Sequence, residues 1–268
     1  MKKESCLPAV KWAGGKRRLL PELLKYVPKK IDMYAEPFAG GAALFFHIWP
    51  RCKQAILIDQ NKDLVVFYRV LRDNPKELMT LAKCWPINDE KVFYFVRALD
   101  VKRMSDEQRA ARFLFLNKTC YNGLWRVNGK GKFNVPFGRY KDPLVVDEEA
   151  LMKASRALQI ARIIHSDFTS CERYDPDFIY CDPPYDPVST SSDFTRYAKG
   201  DFTWKDQKRL AEWASIRMAL KNRVMLSNAS TPRVRKLYRD WSIDTIKAAR
   251  SINAKGDGRG KVKELIIT

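Results

Sequence analysis

Met33-Tyr34-Ala35-Glu36-Pro37-Phe38-Ala39-Gly40-Gly41-Ala42-Ala43 reads as a strand that breaks at Pro37, passes through a glycine-bearing turn and enters a helix. A second buried strand, Ala55-Ile56-Leu57-Ile58, follows and ends at Asp59. Strand signals return at Phe178 to Cys181 and Arg223 to Leu226, with a helical stretch, Asp206 to Lys221, between them. Ser242 to Ala248 and Glu264 to Thr268 are two further strand candidates, and Lys255-Gly256-Asp257-Gly258-Arg259-Gly260-Lys261 between them reads as a flexible loop. Strands alternating with helices give an α/β class. The long interval from about Leu64 to Gln159 is mostly helical, with amphipathic segments at Asp63 to Arg72 and Ser105 to Leu116. Inside it, Asn122-Gly123 through Asn128-Gly129 to Gly138 predicts a β-hairpin turning at Asn128-Gly129.

Composition narrows the partners. A net charge of +19 in 268 residues implies a polyanion, most often nucleic acid. The charge is localised: Arg109, Arg112, Lys118, Arg126, Lys130, Lys132, Arg139 and Lys141 fall between Gln108 and Lys141, where no acid occurs. Six scattered cysteines without a C-x-x-C pair argue against zinc and against a disulfide scaffold, and two histidines leave little for His-based chemistry or a metal centre. No apolar run approaches a membrane span and none follows Met1-Lys2-Lys3-Glu4-Ser5 as a signal would, so a cytoplasmic protein is expected.

The glycines of the first turn let a ligand approach the backbone closely, as in dinucleotide-binding folds. Asp59 lies 19 residues beyond Gly40, the spacing at which a carboxylate takes ribose hydroxyls. The turn is not G-x-G-x-x-G, and Lys11-Trp12-Ala13-Gly14-Gly15-Lys16 lacks the Ser or Thr of a P-loop. A tight glycine turn beside carboxylates suits a nucleoside with a cationic tail, and S-adenosylmethionine fits.

Asp182-Pro183-Pro184-Tyr185 closes the apolar run Asp177-Phe178-Ile179-Tyr180-Cys181. Two prolines hold a carboxylate, a backbone carbonyl and an aromatic ring in a stiff turn. Such a set offers two acceptors to an –NH2 group and a face for its ring. A strand followed by a Pro-rich turn and a core tyrosine is the plainer alternative for four residues taken alone.

Together these stretches resemble the Dam family of DNA adenine-N6 methyltransferases, in the α-group order. The match rests on Lys11 to Lys16, Glu36 to Gly41, Asn117 to Lys141 and Asp182 to Tyr185, with weaker support from Phe202-Thr203, Asp206-Gln207 and Ser227-Asn228. The resemblance implies a Rossmann-like S-adenosylmethionine-dependent methyltransferase domain in two parts, 1–62 and 144–268. An inserted, mostly helical target-recognition domain at 63–143 carries the hairpin. It implies cofactor contacts at Trp12, Lys16, Glu36, Phe38, Gly40, Asp59 and Asp182, with Asp167 and Phe168 flanking the cofactor's adenine. It makes Asp182, Pro183, Pro184 and Tyr185 the catalytic set and duplex DNA the substrate, and no metal is implied. It assigns the hairpin to reading GATC, with Lys11, Leu124, Arg126 and Tyr140 near base edges and Tyr121 and Asn122 near a flipped base. Lys130, Lys132, Asn134 and Arg139 complete the DNA-binding set, and Trp125 and Phe133 read as packing residues. Ala42 departs from the family, which usually has a second glycine there. Cytosine-N4 transfer, protein-glutamine methylation and a silent DNA-binding regulator are the competing readings; an aspartate at 182 favours adenine, and the charge favours nucleic acid.

Overall fold

In the computed structural model, which describes residues 4–186, 202–249 and 261–268, strand β1 (Ile31–Glu36) lies at the centre of the protein. A one-turn helix α1 (Leu20–Leu23) precedes it, and the glycine turn after it leads into α2 (Ala43–Ile48). The remaining strands are β2 (Cys52–Asp59), β3 (Ala161–His165), β4 (Phe178–Cys181), β5 (Arg223–Ala229), β6 (Ile243–Ala249) and β7 (Lys261–Ile267). They form one seven-stranded sheet in the order β3-β2-β1-β4-β5-β7-β6. The strands from β3 across to β5 are parallel, while β7 runs antiparallel to both β5 and β6. β4 is buried at all four residues, as expected of a parallel strand covered on both faces.

The order of the strands places the site. From β1 the chain builds outward through β2 to β3, then returns to the other side of β1 as β4. Ligands of open α/β sheets bind at such a switch point, beyond the carboxyl ends of the strands. Here those ends are Glu36 on β1 and Cys181 on β4, immediately before Asp182.

Helices α3 (Lys62–Asp73), α4 (Pro75–Ala82), α5 (Glu90–Ala98), α6 (Asp106–Thr119) and α7 (Glu148–Leu158) occupy the interval between β2 and β3. Asn61 caps α3 through the Asp63 and Leu64 amides, and Ser105 with Gln108 forms a capping box on α6; caps of this kind are each worth about 1 kcal/mol. Phe113 and Phe115 of α6 share one continuous core with Tyr34 of β1 and Leu57 of β2. On the other face, α8 (Trp204–Ala219) and α9 (Pro232–Leu237) cover Ile179, Leu226 and Leu265.

Three expectations need correction. β3 has no counterpart in the sequence reading, because Ala161-Arg162-Ile163-Ile164-His165 is a short edge strand directly behind a helix. Ser105 to Leu116 reads as amphipathic, yet α6 is buried on nearly all sides, including Arg112. The hairpin is present as two isolated bridges, Cys120 with Phe137 and Val127 with Phe133, and not as regular strands. Its turn is one of three residues: the Gly131 amide donates to the Asn128 carbonyl (2.8 Å), the Asn128 amide to the Lys132 carbonyl (2.9 Å), and Gly131 has φ +73°. That is a turn followed by a left-handed glycine. The run from Lys255 to Gly260 lies outside the described residues. Among the described residues no helix is long and apolar enough to cross a membrane.

Candidate active site

A cavity of about 800 Å³ opens at the carboxyl ends of β1, β2 and β4. Its floor is the glycine turn. Asp59 staples that turn, accepting the Gly40 amide on one carboxylate oxygen (2.8 Å) and the Asn61 amide on the other (2.7 Å). The Tyr68 hydroxyl donates to the Gly40 carbonyl (2.8 Å). Gly40 has φ +45°, and a Cβ there would stand 2.8 Å from the Trp12 ring, so two independent constraints select glycine. Ala42, where the family pattern has glycine, itself adopts the left-handed conformation (φ 49°, ψ 39°). The turn therefore survives the substitution at a backbone cost of roughly 1–2 kcal/mol.

The cavity is acidic in a strongly basic protein. Among the described residues that line it, Glu36, Asp59, Asp182, Asp206 and Glu264 are acids, against Lys16 and Arg209. Burial pushes the Glu36 carboxyl up to about 8, although the Tyr34 hydroxyl (3.0 Å) and the Phe45 amide (3.3 Å) both donate to it. Burial also raises Asp59 and Asp182 above the ordinary carboxylate range. At Asp182 it is opposed by the Lys16 ammonium, 3.0 Å from Oδ1. Lys16 also donates to the Gly14 carbonyl (2.7 Å) and lies 4.5 Å over the Tyr185 ring.

The folded state thus holds a proton on Glu36 that the unfolded chain, with the ordinary value of 4.5, releases. Between about pH 4.5 and pH 8 this group makes the ligand-free protein less stable as pH rises. Glu36→Gln is expected to flatten that decline and to raise the melting temperature at pH 8, while weakening a cationic ligand. Thermal melts from pH 5 to pH 9 check it; an unchanged slope would contradict it.

The turn after β4 is held at several points. Gln207, buried on α8, donates to the Pro184 carbonyl (2.8 Å) and accepts from Asn228 of β5 (3.0 Å). The Asn228 side-chain oxygen in turn accepts the Asp186 amide (3.3 Å). Asp186 is buried against the Thr231 hydroxyl and the Arg233 guanidinium. Phe38 forms the apolar end of the cavity, stacked on Phe168 (centroids 5.4 Å) and edge-on to Phe202 (5.4 Å). Asp167 does not line the cavity; its carboxylate accepts from Arg209 (2.8 Å), Gln60 (3.0 Å) and Thr169.

The basic segment divides in two. Arg112 donates from inside the core to the Val96 and Arg97 carbonyls (2.8 and 2.7 Å), Arg109 pairs with Asp63 (2.6 Å), and Lys118 is buried enough that its pKa falls. Arg112 and Arg109 are structural and Lys118 is half-buried, a correction to counting all eight as one polyanion-facing group. Arg126, Lys130, Lys132, Arg139 and Lys141 are exposed.

Asn117, fully buried, joins the hairpin to the N-terminal segment. Its side chain accepts the Lys11 amide (2.9 Å) and donates to the Lys11 carbonyl (2.8 Å) and the Gly123 carbonyl (3.3 Å). Gly123 (φ +62°) packs directly on the Lys11 side chain, whose ammonium lies 4.3 Å over Tyr140. Lys11, Tyr140 and the turn Tyr121–Gly123 are thus gathered beside Trp12. Tyr121 is 50% exposed, and Asn122 is left-handed (φ 55°). Arg126 Nε donates to Asn134 (2.8 Å). Trp125 packs between Phe113 (4.2 Å) and Phe133 (4.5 Å), as a core residue.

Sequence reasoning missed Glu264, Arg209 and Asn117 as parts of this arrangement. No local pattern marks Glu264 or Arg209, which reach the cavity from β7 and α8. Asn117, an amide inside an apolar helix, was a signal that went unread.

A family model described as D12 class N6 adenine-specific DNA methyltransferase matches residues 12–252. The Type II methyltransferase M1.LlaDCHI of Lactococcus lactis subsp. cremoris is 40% identical, over 97% of this chain and 94% of that relative. Type II methyltransferase M.MjaIII of Methanocaldococcus jannaschii is 39% identical, over 97% and 98% respectively. The DNA adenine methylase of Escherichia coli K12 is 35% identical, over 96% and 93%.

Proposed function

The chain belongs to the D12 class of N6 adenine-specific DNA methyltransferases, and from that premise we propose that it takes its methyl group from S-adenosylmethionine and modifies adenine within GATC. The observation that carries the choice of donor is the acidic cavity at the switch point, five carboxyl groups to two cations inside a chain of net charge +19. An ammonium and a sulfonium suit carboxyl groups that burial, helped by their carboxylate neighbours, holds above their ordinary range.

Trp12, Lys16, Glu36, Phe38, Gly40, Asp59 and Asp182 would hold the donor. Asp59 would take its ribose, Phe38 backed by Phe168 its adenine, and Glu36 its charged tail; Asp167 would act behind the wall, through Gln60 and Arg209. Bound there, S-adenosylmethionine supplies a methyl group on a positively charged sulfur.

The chain's own work is on the amine. Adenine N6 is a weak nucleophile because its lone pair is delocalised into the ring. Asp182 and the Pro183 carbonyl would each accept a hydrogen bond from it, which localises the lone pair on nitrogen, and the proton that N6 loses on methylation would leave by way of the Asp182 carboxylate. Lys16 favours the ionised form of Asp182, which is purely an acceptor. Tyr185 stacks on the base, which must first leave the duplex. Positioning and fixed charges then supply most of the acceleration.

We read residues 63–143 as the recognition part of this enzyme, set between 1–62 and 144–268. Lys130, Lys132, Arg139 and Asn134 face phosphates, while Lys11, Leu124, Arg126 and Tyr140 face base edges and Tyr121 and Asn122 the vacated position. Asn134 fixes the plane of the Arg126 guanidinium, whose terminal nitrogens suit guanine O6 and N7; Leu124 suits a thymine methyl. A bidentate guanine contact discriminates by about 1–3 kcal/mol. Arg126→Ala is therefore expected to relax specificity at one base pair, measured as kcat/KM on GATC against each single-base variant. Equal loss on all sites would make it a phosphate contact.

A further inference from the structure

Glu264 is an acid on an otherwise apolar strand end. It lies on β7, hydrogen-bonded between β5 and β6 and followed by Leu265, Ile266 and Ile267, all buried. Alternation along the strand puts its side chain on the face of Ile266, which packs with Tyr180 and Met225 behind the cavity. A carboxylate beside that core is costly unless it is partnered. Glu264 Oε2 accepts the Tyr185 hydroxyl (2.8 Å), and the residue lines the cavity.

Two prolines restrict the backbone leading to Tyr185, but its ring still turns about its own side-chain bonds. Lys16 lies over the ring face and Gln207 holds the preceding carbonyl. Glu264 shares with Asp182 the hydroxyl end of the ring, where a small change of tilt moves a stacked base most. A charged acceptor suits this task, since hydrogen bonds to carboxylates are shorter and stronger than neutral ones.

We propose that Glu264 is a positioning residue for methyl transfer: by holding the Tyr185 hydroxyl it sets the plane on which the target adenine stacks, and so the height at which its amino group meets Asp182. The inference rests on the proposed stacking of adenine on Tyr185.

The test compares kcat, cofactor affinity and 2-aminopurine fluorescence at the target position for the full chain and its variants. Wild-type protein that methylates adenine in duplex DNA upholds the reading of the site; its failure to do so would sink that reading before any variant is made. Glu264→Ala is then expected to lower kcat roughly tenfold at saturating cofactor, and to alter the fluorescence of the extrahelical base, a loss that added cofactor does not restore. Glu264→Gln, which keeps an acceptor oxygen, recovers most of the loss. Tyr185→Phe, which also removes the hydroxyl's interaction with Asp182, slows transfer at least as much, and the double variant with Glu264→Ala is no slower than Tyr185→Phe alone. Wild-type kcat in Glu264→Ala, losses that multiply, or a Gln variant as slow as the Ala variant would each overturn the proposal. If Glu264→Ala does not fold, Tyr185→Phe at wild-type kcat overturns it on its own.

Discussion

Asp182→Asn is expected to lower the single-turnover rate of methyl transfer on the order of 10³-fold while leaving duplex affinity nearly unchanged. The carboxylate is half-buried, 3.0 Å from Lys16, at the end of β4 and remote in sequence from the exposed basic hairpin. Asparagine keeps its shape and removes the charge. The loss should be large because an amide carbonyl is a weaker acceptor than a carboxylate and because an amide NH2 pointed at N6 repels it. Folding should survive, since asparagine fits the same space and its side-chain oxygen can still accept from Lys16. Rapid-quench kinetics and fluorescence anisotropy separate the two quantities. Turnover within tenfold of wild type would remove Asp182 from the mechanism.

Gly40→Ala is expected to weaken S-adenosylmethionine binding by one to two orders of magnitude, roughly 1.4–2.8 kcal/mol. Positive φ alone does not decide the matter, because Ala42 tolerates a similar conformation two residues on. The close approach does: the new Cβ would lie 2.8 Å from Trp12, so either the indole moves off the turn or the turn shifts. Either movement disturbs the Asp59 staple on the Gly40 amide. Calorimetric titration of the cofactor checks this, and unchanged affinity would show that Trp12 and the turn are not part of the donor site.

Much of this arrangement was legible in the sequence because its parts are local motifs. A strand running into prolines fixes Asp182 to Tyr185, and a strand running into glycines fixes Glu36 to Gly41; both come out at strand ends beside the switch point. Asp59 could be placed because the spacing from a glycine turn to the end of the next strand is short and stiff. What stayed hidden depends on tertiary packing. β3 is an edge strand paired on one side, so its alternation is brief. Arg109, Arg112 and Lys118 look like their exposed neighbours until α6 is buried among α3, α4 and α5. Glu264 lies 79 residues from Tyr185, and nothing in its own neighbourhood announces the contact.

The central claim is that a carboxylate and a backbone carbonyl at the end of β4 activate an adenine amine presented from GATC. Incubation with labelled S-adenosylmethionine and duplex DNA, followed by digestion to nucleosides, tests it most directly. N6-methyladenine as the labelled product from GATC-containing DNA, with far less label in DNA whose GATC sites are altered, is the predicted result. N4-methylcytosine in the digest, or equal labelling of the altered DNA, would contradict it.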